Sequence, residues 1–243
     1  IRTVESQERY DELTRRGEKN LVLTGYTKID PLASMDSKKN SQFLETLNLS
    51  PGRPTVLYAP TFYPSSVEQV LPKLPGLAQE VNVIIKLHGF SWSQRRYRYH
   101  SEQAKQILCE GIYLVNCEDY NIIPYYFVSD MLLSDISSTL FEYLALDRPI
   151  IQTTFYKPRL KHRILKSRLQ KRLDLARAKN INFTQRLDHP EELEALVSKT
   201  VKNPDSMSGA RKKAAERYLH RIDGKASARL VDAIEEYLDE GKR

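Results

Sequence analysis

Short apolar runs that recur along the chain, with helical stretches between them, constrain the fold of these 243 residues most strongly. The runs lie at residues 21–23, 55–58, 81–85, 112–115, 131–133 and 149–151, with a weaker one at 181–183. They are apolar at both odd and even positions, as strands buried on both faces of a parallel sheet are. The sequence therefore predicts an α/β fold with a doubly wound parallel sheet.

Helical periodicity between and after these runs gives the domain organisation. Helices are predicted at residues 37–47, 64–78, 93–108, 119–128, 138–146 and 159–177, and three terminal helices at 189–202, 206–220 and 225–240. We therefore divide the chain into a leading helix and linker (1–20), a Rossmann-like domain (21–188) with a basic helical insert (155–180), and C-terminal helices (189–243) that pack on the domain.

Positive charge is concentrated in the insert. The chain has a net charge of +7, but ten Lys and Arg and a single Asp between residues 155 and 180 give that segment +9 and leave −2 for the rest. This local charge disfavours a broad nucleic-acid-binding surface, and aromatic side chains do not interleave with the cations. A basic amphipathic helix is typical of contact with an anionic membrane or polymer, although a solvated helix face is the alternative. The cations assigned to this contact are Lys157, Arg159, Lys161, Arg163, Lys166, Arg168, Lys171 and Arg172.

Cysteine usage and apolar runs bear on the compartment. Cys109 and Cys117 are too few for a disulfide framework and lack zinc-site spacing, and we expect both thiols to be buried. No run approaches the ~18 apolar residues of a spanning helix, and no signal segment opens the chain. These features favour the cytoplasm. Because the first residue is Ile1 rather than Met, we expect a fragment of a longer chain, with part of the active site elsewhere.

Polar residues follow two of the predicted strands, at the sheet edge where ligands of open parallel sheets bind. Thr61 follows the strand at 55–58, and its hydroxyl is suited to an anion, although a plain turn explains it equally well. Lys86 and His88 follow the next strand and point to the same side because they are two residues apart. Gly89 allows close backbone approach. We interpret Lys86 and His88 as functional.

The strand at 131–133 carries the strongest signal. Asp135, Ser137, Ser138 and Thr139 follow it and open a helix, and Glu142 lies about one turn further on. Free backbone N–H groups, hydroxyl donors and the positive end of the helix dipole suit a diphosphate. The carboxylate of Glu142 is suited to accept hydrogen bonds from two ribose hydroxyls. The alternative is a capped helix with a surface glutamate, but capping explains only one of these serines.

Five motifs in order resemble one known family: Tyr-Ala-Pro-Thr-Phe (58–62), Lys-Leu-His (86–88), Ser-Asp-Met-Leu-Leu-Ser-Asp-Ile-Ser-Ser (129–138), Asp-Arg-Pro-Ile-Ile (147–151) and Asp-Gly-Lys-Ala-Ser-Ala-Arg (223–229). Together they are similar to the CDP-glycerol glycerophosphotransferase family, which comprises the teichoic-acid polymerases and primases and their relatives. Residues 25–30 also resemble the segment that joins the family's two halves. The resemblance runs from about residue 22 to 238.

The resemblance implies a GT-B architecture of two Rossmann-like halves, of which this chain is similar to the C-terminal, donor-binding half. It implies contacts with the activated phosphate from Thr61, His88, Ser137, Ser138 and the helix start at Asp223, Gly224 and Lys225, while Glu142 holds the ribose. Lys86, Asp135 and Thr139 complete the expected donor-binding set, and His88 is the expected catalytic residue. The acceptor-side base belongs to the N-terminal half, which we expect as the missing partner.

Two departures from the family pattern bear on the donor. Ile136 stands where many relatives have Tyr, and the basic stretch replaces a carboxylate-rich loop. The identity of the donor is therefore open.

The implied reaction is transfer of glycerol phosphate or a similar polyol phosphate from a CDP-linked donor to a hydroxyl of a lipid-linked or polymer acceptor, with release of CMP. It would serve teichoic-acid-like or capsular polymer synthesis on the inner face of the cell membrane. Positioning and charge neutralisation dominate such chemistry, and His88 is suited to donate a hydrogen bond or a proton. No cofactor and no protein-bound metal are expected. The alternatives are a GT-B sugar transferase or epimerase relative with another nucleotide donor, and a non-catalytic membrane- or polymer-binding module.

Overall fold

A small parallel unit opens the chain in the computed structural model, which describes residues 1–36, 40–156 and 181–240. It consists of strand β1 (Arg2–Val4), helix α1 (Gln7–Arg15) and strand β2 (Leu21–Leu23), with β1 and β2 paired in parallel. A 3₁₀ helix (Thr27–Ala33) then leads towards the larger domain. The sequence predicted a strand at 21–23, but the strand belongs to this separate sheet and not to the main one.

Six parallel strands form the main sheet of the described chain. They are β3 (Thr55–Tyr58), β4 (Asn82–Ile85), β5 (Ile112–Leu114), β6 (Met131–Ser134), β7 (Ile150–Thr153) and β8 (Gln185–Leu187). Their spatial order is β5-β4-β3-β6-β7-β8. The doubly wound parallel sheet predicted from the sequence is therefore confirmed.

Helices connect and cover these strands. They are α2 (Asn40–Thr46), α3 (Val67–Val70), α4 (Leu74–Leu77), α5 (Phe90–Ser93), α6 (Tyr99–Gln106), α7 (Ile123–Val128), α8 (Ser138–Glu142), α9 (Leu193–Lys202), α10 (Ser208–Tyr218) and α11 (Ala226–Glu240). Further 3₁₀ turns lie at Leu71–Lys73, Tyr143–Leu146 and Pro190–Glu192.

Alternate side chains of each central strand enter two different cores. Leu57 and Leu132 point into the core that α2, α7, α8 and α10 cover, whereas Val56 and Leu133 point into the core under α3, α4, α6 and α9. The register pairs Leu57 with Leu132 across the middle of the sheet. Burying one such side chain contributes roughly 1.5–3 kcal/mol, so these strands cannot shift by one residue without losing both cores.

The strand order reverses between β3 and β6. The chain proceeds from β3 through β4 to β5 on one side, and from β6 through β7 to β8 on the other. The connections at the carboxyl ends of β3 and β6 therefore leave in opposite directions and open a crevice between them. This crevice is where the fold alone places a ligand.

Several predicted boundaries differ from the structure for local reasons. The weak strand predicted at 181–183 is wrong in position, because Phe183 is buried in the core ahead of the strand and pairing with β7 starts only at Gln185. The single helix predicted at 64–78 is broken into α3, a 3₁₀ turn and α4, because Pro72 and Pro75 lack the backbone N–H that a continuous helix needs.

The terminal helices tie the ends of the described chain together. Arg211 on α10 is buried and donates from Nε to Asp147 Oδ1 at 3.0 Å. The first amides of α11, those of Ala226 and Ser227, donate to the carboxylate of Asp30 at 3.0 and 2.7 Å. The C-terminal helices therefore pack on the domain and also hold the 3₁₀ segment that follows the small sheet.

Two predictions fall wholly or partly on residues that the structure does not describe. The basic helical insert and all eight cations assigned to it lie between residues 157 and 180, outside the described ranges. The start of the helix predicted at 37–47 is likewise outside them. Among the described residues, no helix is long and apolar enough to cross a membrane.

Candidate functional site

A cavity of about 490 Å³ opens at the carboxyl ends of β3, β4, β5 and β6, in the crevice where the strand order reverses. Side chains from four separate connections line it. Six of the predicted site residues meet there: Thr61, Lys86, His88, Ser137, Ser138 and Thr139. The structure thus brings together the residues that follow β3, β4 and β6.

The loop after β3 is held in place by Asp135, which follows β6. The Asp135 carboxylate accepts from the backbone N–H of Thr61 at 3.0 Å and of Ser66 at 3.2 Å, and from the Thr153 hydroxyl at 2.5 Å. It is fully buried, and this burial raises its pKa although the hydrogen bonds oppose the shift. Asp135 was predicted to bind the donor directly. The structure instead gives it a supporting position, because protein donors surround its carboxylate.

Helix α8 begins with a dense hydroxyl network. Ser137 is extended, and its Oγ accepts from the backbone N–H of Thr139 at 3.2 Å, which caps the helix. The Thr139 hydroxyl lies 2.6 Å from Ser137 Oγ and 2.9 Å from Ser134 Oγ. Ser138 is exposed, and its hydroxyl has no hydrogen bond within the described part of the chain. Ser138 is therefore the member of this group that is free to donate to a ligand.

His88 sits among aromatic rings at the mouth of the cavity. Its Nδ1 accepts from the backbone N–H of Phe90 at 3.0 Å, and its ring centroid is 4.7 Å from that of Phe62 and 5.0 Å from that of Phe90. These neighbours displace water, and this desolvation lowers the pKa of His88 from its ordinary value near 6.5. The imidazole is therefore favoured in its neutral form.

Two lysines bring positive charge to the cavity. Lys86 donates to the backbone carbonyl of Asp119, and burial is the main cause that lowers its pKa, with the Asp119 carboxylate acting in the opposite sense. Lys28 comes from the 3₁₀ helix after the small sheet and lines the same cavity. Both ammonium groups are placed to attract an anion.

Sequence reasoning missed Lys28 and the wall made by Trp92, Cys117, Asp119 and Tyr120. The rule that residues after a parallel strand face the ligand would have found those after β5, had it been applied there. Cys109 and Cys117 were expected to be buried but are exposed, because they lie in the loops that flank β5.

Glu142 lies beside this cavity, in the wall of a second one of about 290 Å³. Its carboxylate is almost completely buried and accepts from Lys28 Nζ at 2.7 Å, Tyr126 Oη at 2.9 Å and Tyr26 Oη at 3.2 Å. The two cavities share Ser138 as a lining residue. Glu142 was predicted to hold a ribose, but three protein donors already occupy its carboxylate.

Asp223, Gly224 and Lys225 do not line the cavity, although a phosphate contact was predicted for them. The amides of the helix that follows bind Asp30, and the Asp223 carboxylate accepts from Arg229 at 2.9 Å. A Cβ at Gly224 would lie 3.1 Å from that of Ala33, so this glycine serves close packing. The helix start is thus committed to a contact within the protein.

Within the described ranges, no group of three or more His, Cys, Asp or Glu is placed to hold a metal ion. The charged groups that face the cavity are Lys28, Lys86 and Asp119. Together with the free Ser138 hydroxyl and the start of α8, they form a hydrogen-bonding surface with two cations, of which Lys28 is paired with Glu142. Such a surface suits a phosphate-bearing ligand.

The sequence profile of one family matches most of the chain. It is CDP-Glycerol:Poly(glycerophosphate) glycerophosphotransferase, matched over residues 5–236. A comparison with curated protein sequences gives no significant match.

Solved structures share the fold at low sequence identity. The wall teichoic acid polymerase TagF, soaked with CDPG, superposes with a TM-score of 0.66 at 17% identity, covering 99% of this chain and 57% of TagF. A glycosyltransferase from Rickettsia africae superposes with a TM-score of 0.56 at 13% identity, covering 96% of this chain and 62% of the glycosyltransferase. UDP-GlcNAc 2-epimerase from Neisseria meningitidis, bound to UDP-GlcNAc, superposes with a TM-score of 0.53 at 14% identity, covering 95% of this chain and 59% of the epimerase. The chain thus spans under two thirds of the length of each.

Proposed function

The chain belongs to the CDP-glycerol:poly(glycerophosphate) glycerophosphotransferase family, and on this premise we propose that its cavity binds the donor in transfer of an alcohol phosphate. The donor is a CDP-linked glycerol or similar polyol, and the acceptor is a hydroxyl of a lipid-linked or polymeric chain in teichoic-acid-like or capsular synthesis. The observation that carries the proposal is the convergence of Thr61, Lys86, His88 and residues 137–139 on one cavity at the strand-order reversal.

The proposed reaction needs no covalent intermediate with the protein and depends on positioning and charge neutralisation. The acceptor hydroxyl oxygen bonds to the phosphorus that carries the alcohol, and the bond from that phosphorus to the bridging oxygen breaks. CMP leaves with the bridging oxygen, and the acceptor's proton passes to the base that we place outside this chain. Lys28 and Lys86 offset the negative charge of the diphosphate, and the Ser138 hydroxyl and the start of α8 supply hydrogen bonds to it. His88 lines the same cavity and completes the set of donors.

The acceptor side is proposed to lie outside this chain. Within the described residues, the cavity is lined by one imidazole, that of His88, and one carboxylate, that of Asp119, which accepts a hydrogen bond from the Tyr125 hydroxyl. Since the chain spans 57% of TagF, a further half that brings the acceptor and its base is the partner we propose. This chain alone should therefore bind the donor but turn it over poorly.

The test is a calorimetric binding panel with CDP-glycerol, CDP-ribitol, CMP and UDP-GlcNAc against this chain, with a matched activity assay. Binding of the cytidine compounds with little turnover supports the proposal. Efficient turnover by this chain alone contradicts the proposal that the acceptor side lies outside it. Absence of any nucleotide binding contradicts the proposal that the cavity binds the donor.

A second function is favoured by the structural likeness to UDP-GlcNAc 2-epimerase bound to UDP-GlcNAc. In that case the cavity takes a UDP-sugar, and the enzyme is a sugar transferase or an epimerase relative. The same panel separates the two, because preference for UDP-GlcNAc over CDP-glycerol selects the second function. The family match over residues 5–236 favours the first.

Location at the inner face of the cell membrane is a further part of the proposal. It is supported by the charge of +9 between residues 155 and 180, in a chain that otherwise carries −2. A segment of this charge is attracted to anionic lipid without spanning it. If the cavity binds no nucleotide while this segment binds membrane, the protein is a non-catalytic binding module instead.

A further inference from the structure

His88 is held by two contacts that together decide which of its nitrogens carries the proton. Nδ1 accepts from the backbone N–H of Phe90 at 3.0 Å, so a lone pair, and not a hydrogen, occupies that position. The backbone carbonyl of His88 accepts from the N–H of Ser91 at 2.8 Å, which fixes the main chain from which the ring projects. A neutral imidazole with a lone pair on Nδ1 carries its hydrogen on Nε2.

The rings around His88 also resist a second proton. The Phe62 ring centroid lies 4.7 Å from the imidazole and 4.9 Å from that of Phe90, so the three rings form one aromatic group. Tyr97 extends it at 5.2 Å from Phe62. A proton on Nδ1 would face the Phe90 N–H and remove the acceptor of that hydrogen bond.

Most of the charged groups around the cavity also disfavour a protonated His88 imidazole. Lys28 from the 3₁₀ helix and Lys86 from the end of β4 are cations that disfavour a positive imidazole, whereas Asp119 from the loop after β5 favours it. Cys117 and Tyr120 of that loop are the other titratable groups that line the cavity. The Asp119 carboxylate is already engaged by the Tyr125 hydroxyl at 2.5 Å.

We propose that His88 acts as a fixed, neutral hydrogen-bond donor whose Nε2–H binds a phosphoryl oxygen, and that Phe62 and the Phe90 amide are the positioning groups that set this tautomer. The inference rests on the proposed function and narrows it, because His88 then neither gives a proton to the leaving group nor removes one from the acceptor. Within the described residues no hydrogen bond engages Nε2, so it remains available.

The reaction chemistry is consistent with such a donor. The departing oxygen becomes part of a phosphate monoester, whose second pKa is about 6. CMP can therefore leave at neutral pH without being protonated, and the oxygens of the transferring group need hydrogen bonds more than they need a proton.

The first test is ¹⁵N NMR of the histidine side chains in the ligand-free chain, with His88→Gln used to assign the signals. We expect the neutral Nε2–H form at neutral pH, with a titration midpoint below that of the same residue in the chain unfolded in urea. In Phe62→Leu, which keeps an apolar side chain but removes the ring, the midpoint should move back towards the unfolded one. The inference is overturned if His88 is an imidazolium at neutral pH or carries its hydrogen on Nδ1. It is also overturned if Phe62→Leu folds but leaves the titration midpoint of His88 unchanged.

The second test measures CDP-glycerol binding, since the two phosphates of this donor do not themselves titrate near neutral pH. Affinity should rise as the pH is raised through the His88 midpoint and then stay constant towards about pH 8, because the neutral form is the binding form. His88→Ala should weaken binding roughly 10- to 150-fold, the effect of losing one hydrogen bond to a charged group. His88→Gln, whose amide donates without titrating, should recover most of the loss.

Affinity that falls as the His88 midpoint is passed, or a glutamine variant no better than alanine, contradicts the donor role. The NMR experiment needs no nucleotide, so it separates failure of this inference from failure of the donor site.

Discussion

Lys28 and Glu142 form an ion pair, with Nζ 2.7 Å from Oε2, although 114 residues separate them in the chain. Glu142 is buried on α8, and Lys28 reaches it from the 3₁₀ helix that follows the small sheet. Because Lys28 also lines the main cavity, the pair fixes a cation at the proposed phosphate site. The position of that cation thus depends on a residue in the wall of the neighbouring cavity.

Replacing Glu142 with Gln should therefore destabilise the fold. Tyr126 is buried and donates to this carboxylate, so the variant weakens an acceptor that protein groups depend on. We expect a loss of about 1–3 kcal/mol in the free energy of unfolding, measured by urea denaturation. Glu235→Gln on the exposed face of α11 is the matched control. Unchanged stability together with lost nucleotide binding would restore the ribose role that the sequence suggested.

The two serines at the start of α8 should separate ligand binding from stability. Ser138→Ala should weaken nucleotide binding by roughly 1.5–3 kcal/mol, because its free hydroxyl is placed to donate to a charged phosphate. Ser137→Ala should in addition lower the free energy of unfolding by about 1 kcal/mol, since Ser137 caps the helix. Calorimetry and thermal melts measure both quantities. Equal nucleotide affinity in wild type and Ser138→Ala would refute this assignment.

Gly25 and Gly209 should respond to alanine in opposite ways. Gly25 has a φ of +91°, and a Cβ there would lie 2.8 Å from the carbonyl oxygen of His220. Gly25→Ala should therefore cost at least about 1 kcal/mol. Gly209 lies within α10 with nothing within 4 Å of its Cβ position, so Gly209→Ala should gain up to about 1 kcal/mol. Melting temperatures that move in the same direction would contradict this prediction.

The pH dependence of stability should carry a contribution from His88. Its pKa is lower in the folded chain than the ordinary value near 6.5, so the unfolded chain binds more protons in the window between the two values. The contribution of His88 to the free energy of unfolding is therefore complete above its pKa in the unfolded chain. It is lost as the pH falls through its pKa in the folded chain. Lowering the pH from about 7.5 to about 5.5 should destabilise wild type more than His88→Gln, because the glutamine does not titrate.

Urea denaturation of both proteins at the two pH values measures this difference. The shifted pKa of His220 contributes equally to wild type and variant and cancels. A difference that stays constant with pH would show that His88 is not held in its neutral form.

The basic segment should bind anionic vesicles in a salt-sensitive manner. Changing Lys161, Arg163, Lys166 and Arg168 to Gln removes four charges, each worth about 1 kcal/mol near an anionic leaflet. Vesicle sedimentation should therefore fall sharply, and added salt should release wild type because it screens the attraction. The control changes four exposed cations elsewhere to Gln: Lys19, Lys199, Lys202 and Lys213. If both variants sediment like wild type, the segment is only a solvated surface.

Burial on both faces explains why the strands of the main sheet could be predicted from the sequence. Residues 55–58 and 131–134 have no polar face to obscure the pattern, and both strands are buried throughout. β1 was missed because Arg2 and Thr3 are exposed, which leaves Val4 as its one buried residue. The two central strands of the main sheet were therefore easier to place than the small sheet.

Residues that line the cavity could be predicted where they directly follow a strand of the main sheet. The residues after β3, β4 and β6 reach the cavity because the fold places every strand end there, whatever the detailed packing. The partners of Asp135 and of the start of α11 lie far away in sequence and could not be predicted: Thr61 and Ser66 for Asp135, and Asp30 for the start of α11. Local patterns cannot distinguish a carboxylate or helix start that is free from one that is engaged in this way.

The bond between Asp30 and the first amides of α11 joins segments 196 residues apart in the chain. Closing so long a loop is entropically unfavourable in an unfolded chain, so we expect this contact to form after the sheet has brought its two sides together. The same geometry makes α11 an indicator of whether folding is complete. Its first amides are protected from hydrogen exchange only while the small sheet, the 3₁₀ segment and the main domain are all in place.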